Sequence, residues 1–269
     1  VTVGCSHNAC AFCAMYRNKR YEVRPVSEIR EEILEAAAEW PECPRVFLGD
    51  GDALAAPADF LLEVLSALRS SMPRLRRVSL YATPMNLLEK SEGELASLKA
   101  AGLSLFYLGM ESGSDAVLKR VNKGASAGEI VGAVQRGHAA GLRSSVMVLL
   151  GLGGEGASEE HALASAEAAN RMQPHYLSAL TWMPVGEAPL ARQAARGGFD
   201  APGDDAVLRE LRLMVEALDL KDTVFRANHA SNPLPIGGRL SRDKAQILTW
   251  IAAAQAGAMP LRPAFMRGT

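Results

Sequence analysis

A chain of 269 residues, 48% hydrophobic and 22% charged, can bury a full core as one or two domains. Its 29 basic and 30 acidic residues nearly cancel, so nothing marks it as a nucleic-acid or membrane-surface protein. Four cysteines, three of them within nine positions, exclude a disulfide scaffold.

The apolar run Val146 to Leu152 is far too short to span a bilayer, and no charged, apolar leader opens the chain. A cytoplasmic location is therefore the default expectation, with no membrane partner and none of nucleic acid. The opening Val1-Thr2-Val3 lacks a methionine, and the chain is expected to be part of a longer protein.

Short β-branched or aromatic runs alternate with helical patterns. Strands are predicted at Val1–Val3, Arg45–Leu48, Arg77–Tyr81, Ser104–Met110, Ser144–Leu150, Tyr176–Thr181 and Thr223–Asn228. Helices are predicted at Glu28–Trp40, Asp59–Leu68, Gly93–Ala101, Ala127–Ala140, Glu159–Asn170 and Asp204–Leu218. Ser126 and Glu129 form a capping box, while Gly102 and Gly141 sit where left-handed caps are easiest. Ser241 is expected to cap a last helix reaching about Gly257, with a proline-containing tail beyond. This βα repeat predicts an α/β fold, a partial or open (β/α) TIM-like barrel of about six units with a C-terminal β/α extension. A doubly wound sheet is the competitor. Residues 1–190 are expected to form the core and residues 191–269 the extension. In a barrel, strand-to-helix loops collect at one face and carry the chemistry.

The first such loop is Gly4-Cys5-Ser6-His7-Asn8-Ala9-Cys10-Ala11-Phe12-Cys13. Three soft thiolates this close can ligate three irons of a cubane cluster and leave the fourth iron open. A zinc site is the alternative and would use His7 as its fourth ligand.

The segment resembles the cluster loop of the radical S-adenosylmethionine (radical SAM) superfamily, although it has four and then two residues between its cysteines where the usual pattern has three and two. Later segments carry the same likeness in the same order. Gly49-Asp50-Gly51-Asp52-Ala53 resembles the family's Gly-Gly-Glu-Pro loop. Leu108-Gly109-Met110-Glu111-Ser112-Gly113 and Lys123-Gly124 resemble the branch containing oxygen-independent coproporphyrinogen oxidase and the methylthiotransferases. Gly151-Leu152-Gly153-Gly154-Glu155 resembles a Gly-Leu-Pro-Gly-Glu turn, and Met183-Pro184 the last stretch packing the adenine. The resemblance implies a [4Fe–4S] cluster on Cys5, Cys10 and Cys13. It implies S-adenosylmethionine contacts from Phe12, Gly51, Asp52, Ala53, Glu111, Ser112, Leu150, Gly151, Leu152, Gly153 and Met183. It also implies an external electron donor such as flavodoxin or ferredoxin. Taken alone, Asp50-Gly51 also reads as an ordinary turn, Glu111 as a helix-start charge and Glu155 as a cap of the next helix.

For substrate, Tyr81 and Asn86 follow the third predicted strand, where a tyrosine is equally a packing residue. Arg17, Arg20 and Arg24 suit an anionic group, or a solvated charged loop. The polar run Arg226, Asn228, His229, Ser231 and Asn232 is a candidate substrate rim, with a hydrogen-bonded turn as the alternative. His138, His161 and Cys43 read as structural. The expected activity is radical SAM chemistry, as an oxidoreductase or transferase, on a small or medium organic substrate. Coproporphyrinogen-oxidase-like decarboxylation and a non-catalytic iron–sulfur protein are the alternatives. With Cys43 alone left over, a second cluster for methylthio transfer is not expected.

Overall fold

The computed structural model describes residues 1–268. Its strands are β1 (Thr2–Val3), β2 (Glu22–Val23), β3 (Arg45–Leu48), β4 (Arg77–Tyr81), β5 (Leu103–Glu111), β6 (Arg143–Leu150), β7 (Tyr176–Thr181), β8 (Thr223–Ala227) and β9 (Ile236–Leu240). Its helices are α1 (Val26–Glu39), α2 (Ala58–Ser71), α3 (Pro84–Glu89), α4 (Glu92–Ala101), α5 (Asp115–Arg120), α6 (Ala127–Ala139), α7 (Ser158–Met172), α8 (Pro189–Ala195), α9 (Asp204–Ala217) and α10 (Lys244–Gln255). Among the described residues no helix is long and apolar enough to cross a membrane.

Two compact units share this chain. The first comprises Val1–Asn8, Met15–Leu108 and Gly132–Ser144, and the second Ala9–Ala14, Gly109–Val131 and the residues from Ser145 onward.

In the first unit β3 pairs in parallel with β4, and β4 with β5, with one register shift between Val78 and Ser79. Val78, Ser79 and Leu80 are all buried, as in a parallel strand covered on both faces, and Tyr81 at its end is exposed. Helix ends follow local chemistry. Ser91 and Glu94 close a capping box at the start of α4, and Gly102 ends that helix at φ +116°. Thr83 and Asn86 close another at α3, where Pro84 supplies a preset first turn.

In the second unit β6, β7 and β8 are parallel, and β9 turns back antiparallel to β8. The buried cluster beside them contains Val117, Val121, Leu152, Trp182, Leu190 and Phe199. The Trp182 and Phe199 rings meet edge to face, with centroids 5.1 Å apart.

Some local expectations fail for identifiable reasons. Ser241 does not cap the last helix. That helix starts at Lys244 behind Asp243, whose carboxylate is engaged by the Arg239 amide at 2.7 Å and by Arg242. Glu155 does not cap α7 either. It opens a short 3-10 turn, and Ala157 stands at the cap position. The proline-containing tail is tied down, since the Arg262 guanidinium donates to the His229 and Ala230 carbonyls at 2.7 and 2.9 Å. Short α3, α5 and α8 and the antiparallel β9 lacked a long enough period to be read from sequence.

Candidate cofactor site

The cysteine loop begins just after β1 at Gly4, with φ +77°. The Gly4 carbonyl accepts the Gly51 N–H at 3.0 Å, and a Cβ at Gly51 would lie 2.4 Å from that oxygen. Glycine is therefore required at 51 for the two backbones to approach. Beside it the Asp52 side chain is fully buried and accepts the Ser6 amide at 3.0 Å and the Ser6 hydroxyl. Burial pushes its carboxyl up, and the Ser6 hydrogen bonds and nearby His7 offset only part of this. Asp50 goes the other way. Burial is outweighed there by the Gly4 amide, Tyr16 and Lys19, which hold its carboxyl below the ordinary value. Ala53 is buried in the following 3-10 turn. The Tyr21 hydroxyl is buried with no hydrogen-bond partner among the described residues, and burial, then Asp52 and Cys5, push its pKa up to about 12.

Cys5, Cys10 and Cys13 are half-buried, and no disulfide engages them. Among the described residues no group of three or more His, Cys, Asp or Glu side chains is gathered as a metal ion would need. The donor set itself, three thiols on one loop, fits an iron–sulfur cluster in chemistry. Cys43 lies apart in sequence and directs its thiol to the Arg45 carbonyl at 3.1 Å.

In the second unit, Glu111 ends β5 in a left-handed conformation, φ +67°. Its carboxylate pairs with Lys123 at 3.0 Å, both side chains being largely buried. A Cβ at Gly109 would fall 1.9 Å from Glu111 Oε1, so only glycine leaves that carboxylate its place. Ser112 is buried and its hydroxyl accepts the Ser114 amide at 2.9 Å. At the end of β6, Leu150 and Leu152 are buried and Gly151 turns at φ +82°. A Cβ at Gly153 would meet the Ala157 carbonyl oxygen at 3.0 Å. Phe12 packs on the Trp182 cluster, and the Trp182 amide binds the Leu150 carbonyl at 2.8 Å. Met183 is half-buried beside it. Trp182 Nε1 is buried with no hydrogen-bond partner among the described residues.

The predicted substrate residues fall into three places. Tyr81 stands with Phe47 and Tyr107 in an edge-to-face trio, its centroid 4.9 Å from Phe47 and 5.9 Å from Tyr107. Burial, then Tyr107, raise its phenol. Asn86 is buried and its side chain is engaged in the α3 cap. Arg24 is held by Glu28 and Glu32 at 3.1 and 2.7 Å. Arg226 and Asn228 are exposed. Ser231 and Asn232 are buried against β7. There Ser231 Oγ accepts the Thr181 amide at 3.1 Å, and Asn232 Nδ2 donates to the Ala179 carbonyl at 2.7 Å. His229 Nδ1 lies 2.9 Å from Ser231 Oγ and accepts the Ser231 amide, leaving Nε2 as the ring donor. Burial and Arg262 lower its pKa.

Residues 1–166 match the family model described as the radical SAM superfamily. The chain belongs to that superfamily. Solved radical SAM structures share its fold. Coproporphyrinogen III oxidase from Escherichia coli superposes with a TM-score of 0.62 at 16% identity, over 80% of this chain and 50% of that one. Methylornithine synthase gives 0.57 at 16% identity, over 81% and 61%. The radical SAM methyltransferase of Kitasatospora setae, solved with cobalamin and a [4Fe–4S] cluster, gives 0.58 at 18% identity, over 73% and 38%. The chain thus spans about half the length of the first of these structures. No curated protein matches it. The α/β architecture, a mixed β-sheet core flanked by helices, is the partial (β/α) barrel of radical SAM proteins.

Sequence reasoning missed Lys123 as the partner of Glu111, and Trp182 as an orphaned donor. Lys123 had a signal, the Lys-Gly following the Glu-Ser-Gly segment. A lone tryptophan between two resembling segments carried none.

Proposed function

We propose that this chain is the core of a radical SAM enzyme acting on a small or medium organic substrate. In this reading Cys5, Cys10 and Cys13 ligate three irons of a [4Fe–4S] cluster, and S-adenosylmethionine occupies the fourth. When bound and reduced by a donor of the flavodoxin or ferredoxin class, this pair would supply 5′-deoxyadenosyl radical chemistry for hydrogen abstraction from substrate.

The chain's own residues bind, orient and shield. The backbone around Gly51, with Asp52 and Ala53, receives the methionine ammonium. Glu111 receives the ribose hydroxyls, which are good donors to a carboxylate, and Lys123 holds that carboxylate in place. Ser112 supports the turn. Leu150, Gly151, Leu152, Gly153, Phe12 and Met183 wall the adenine, a largely apolar surface suited to a flat ring. Tyr81, Arg226, Asn228 and His229 face substrate. In the segment 226–232 Ser231 and Asn232 set the shape of the loop, while His229 offers its Nε2–H to a substrate oxygen. Residues 1–190 carry the cofactor site and residues 191–269 the extension that bears this segment.

The observation carrying the reading is the family match across residues 1–166, which contains all three clustered cysteines and the Gly51, Glu111 and Gly151 loops. Anaerobic reconstitution with iron and sulfide, then dithionite and S-adenosylmethionine, tests it. Formation of 5′-deoxyadenosine supports it. A stable cluster that never cleaves S-adenosylmethionine, with or without candidate substrates, would sink it.

A further inference from the structure

Glu210 has no part in the chemistry above, yet it is fully buried on α9. A carboxylate without solvent persists only where donors saturate it. Here three do. The Gly151 amide donates to Oε1 at 2.8 Å, the Ser158 hydroxyl to Oε2 at 2.5 Å, and His161 Nδ1 lies 2.9 Å from Oε1. His161 is equally buried, and its Nε2 sits 3.2 Å from the Glu111 carbonyl oxygen. A carbonyl only accepts, so Nε2 carries a hydrogen and donates it.

Two strand ends therefore converge on one side-chain pair. Glu111 closes β5 at φ +67°, a region that strains any residue with a Cβ and needs surrounding contacts to hold it. Gly151 closes β6, also left-handed at φ +82°. The helix that carries His161 secures the rest of the β5 turn. Ser165 Oγ accepts the Gly113 amide at 2.9 Å, and Glu160 accepts the Ser114 hydroxyl at 2.7 Å. A Cβ at Gly113 would lie 2.1 Å from the Ala164 carbonyl oxygen, so loop and helix are in backbone contact.

We propose that Glu210 and His161 are a positioning pair, holding Glu111 and Gly151 in the one arrangement that receives the nucleoside half of S-adenosylmethionine. The inference rests on the function proposed above, since it takes Glu111 as the ribose acceptor and Gly151 as part of the adenine wall. Neither residue of the pair touches a reacting atom. Both act through the two backbones they tie, and a chain that lost the pair would keep its cluster ligands while presenting Glu111 in several orientations.

The test is calorimetric titration of the full reconstituted chain with S-adenosylmethionine, without reductant, alongside amide hydrogen exchange over 111–114 and 151–153. His161→Ala is expected to weaken binding about tenfold, the loss of one aligned hydrogen bond. In a Glu111→Ala background the same change is expected to weaken it by less than about twofold, because the pair acts through Glu111. His161→Gln, whose amide can still donate to the Glu111 carbonyl, should recover most of the affinity. Exchange over 111–114 should quicken in His161→Ala and not in His161→Gln. Unchanged affinity in His161→Ala, or an equal loss in both backgrounds, would overturn the proposal, and so would unchanged exchange. If the unsubstituted chain bound no S-adenosylmethionine, the proposed function would fall. The exchange data would still decide whether the pair holds the two strand ends.

Discussion

The segment Glu111–Ser114 and the segment Arg226–Asn232 are both polar runs just after strands, and they are built in opposite ways. In the first, side chain and backbone alike are engaged. Lys123 holds the carboxylate, His161 the carbonyl, Ser165 the Gly113 amide and Glu160 the Ser114 hydroxyl. The second is divided. Ser231 and Asn232 are buried in hydrogen bonds to β7, while Arg226 and Asn228 reach solvent. A site for a ligand of invariant shape gains from fixed groups, since less ordering remains to be done on binding. In the proposed function a site for substrate would need a firm base and a few groups left available, which is the role proposed for the second segment.

Substitutions can break this contrast or sharpen it. The outer bound is Cys5→Ala, which should remove the cluster's visible absorbance and all cleavage of S-adenosylmethionine while leaving both segments folded. Retention of cluster and cleavage would overturn the three-cysteine ligation. Next in size is Lys123→Met. It leaves the Glu111 carboxylate largely buried and unpaired, which should cost about 3–5 kcal/mol in a denaturant titration and most of the affinity for S-adenosylmethionine. A change within error would mean that the turn does not depend on that ion pair.

The second segment should respond unevenly. Asn232→Ala strips a buried partner from Thr181 and from the Ala179 carbonyl, so a loss of about 1–3 kcal/mol in stability is expected. Asn228→Ala is exposed and should leave the melting temperature alone. It should lower substrate turnover about tenfold, with uncoupled formation of 5′-deoxyadenosine within about twofold. Equal loss of both activities would make position 228 a general cofactor or structural contact.

The smallest effect concerns Asp52, in the first unit. Its carboxyl is raised in the folded chain, so its contribution favours folding at pH below the unfolded value of about 4 and is lost as pH rises through the folded value. Burial weighs against the ionised form, increasingly as pH rises. Asp52→Asn should therefore raise the melting temperature slightly at pH 7, and the difference should shrink as pH falls toward 4. The same change should weaken S-adenosylmethionine binding, trading stability against a group kept for its charge. A variant less stable at pH 7 would show that the Ser6 hydrogen bonds outweigh desolvation.

Much of the fold was legible because its signals are short-range. Strands β3, β4 and β7 match their β-branched and aromatic runs residue for residue, and the Ser126–Glu129 box caps α6 as its spacing demands. Asn228 was expected inside a strand and falls one residue beyond β8. Such an error follows from reading polarity without knowing where pairing to β9 stops. Glu210 left a trace that could have been noticed, a glutamate on the helical face that carries Val207, Leu211 and Met214. Its partners lie 49, 52 and 59 residues away, and no local pattern reaches that far.

The amino-acid sequence by itself determined the βα order, the caps, the three thiols on one loop and the membership that their company implies. Each of these depends on neighbours a few positions apart, where backbone geometry and side-chain chemistry act directly. Only tertiary structure decided what happens to the polar groups. It paired Glu111 with Lys123, buried Asp52 beneath Ser6, turned Ser231 and Asn232 inward and left Trp182 Nε1 without an acceptor among the described residues. The reason is desolvation: a buried polar group must find a partner wherever the packed chain supplies one, and that place is set by the fold rather than by spacing.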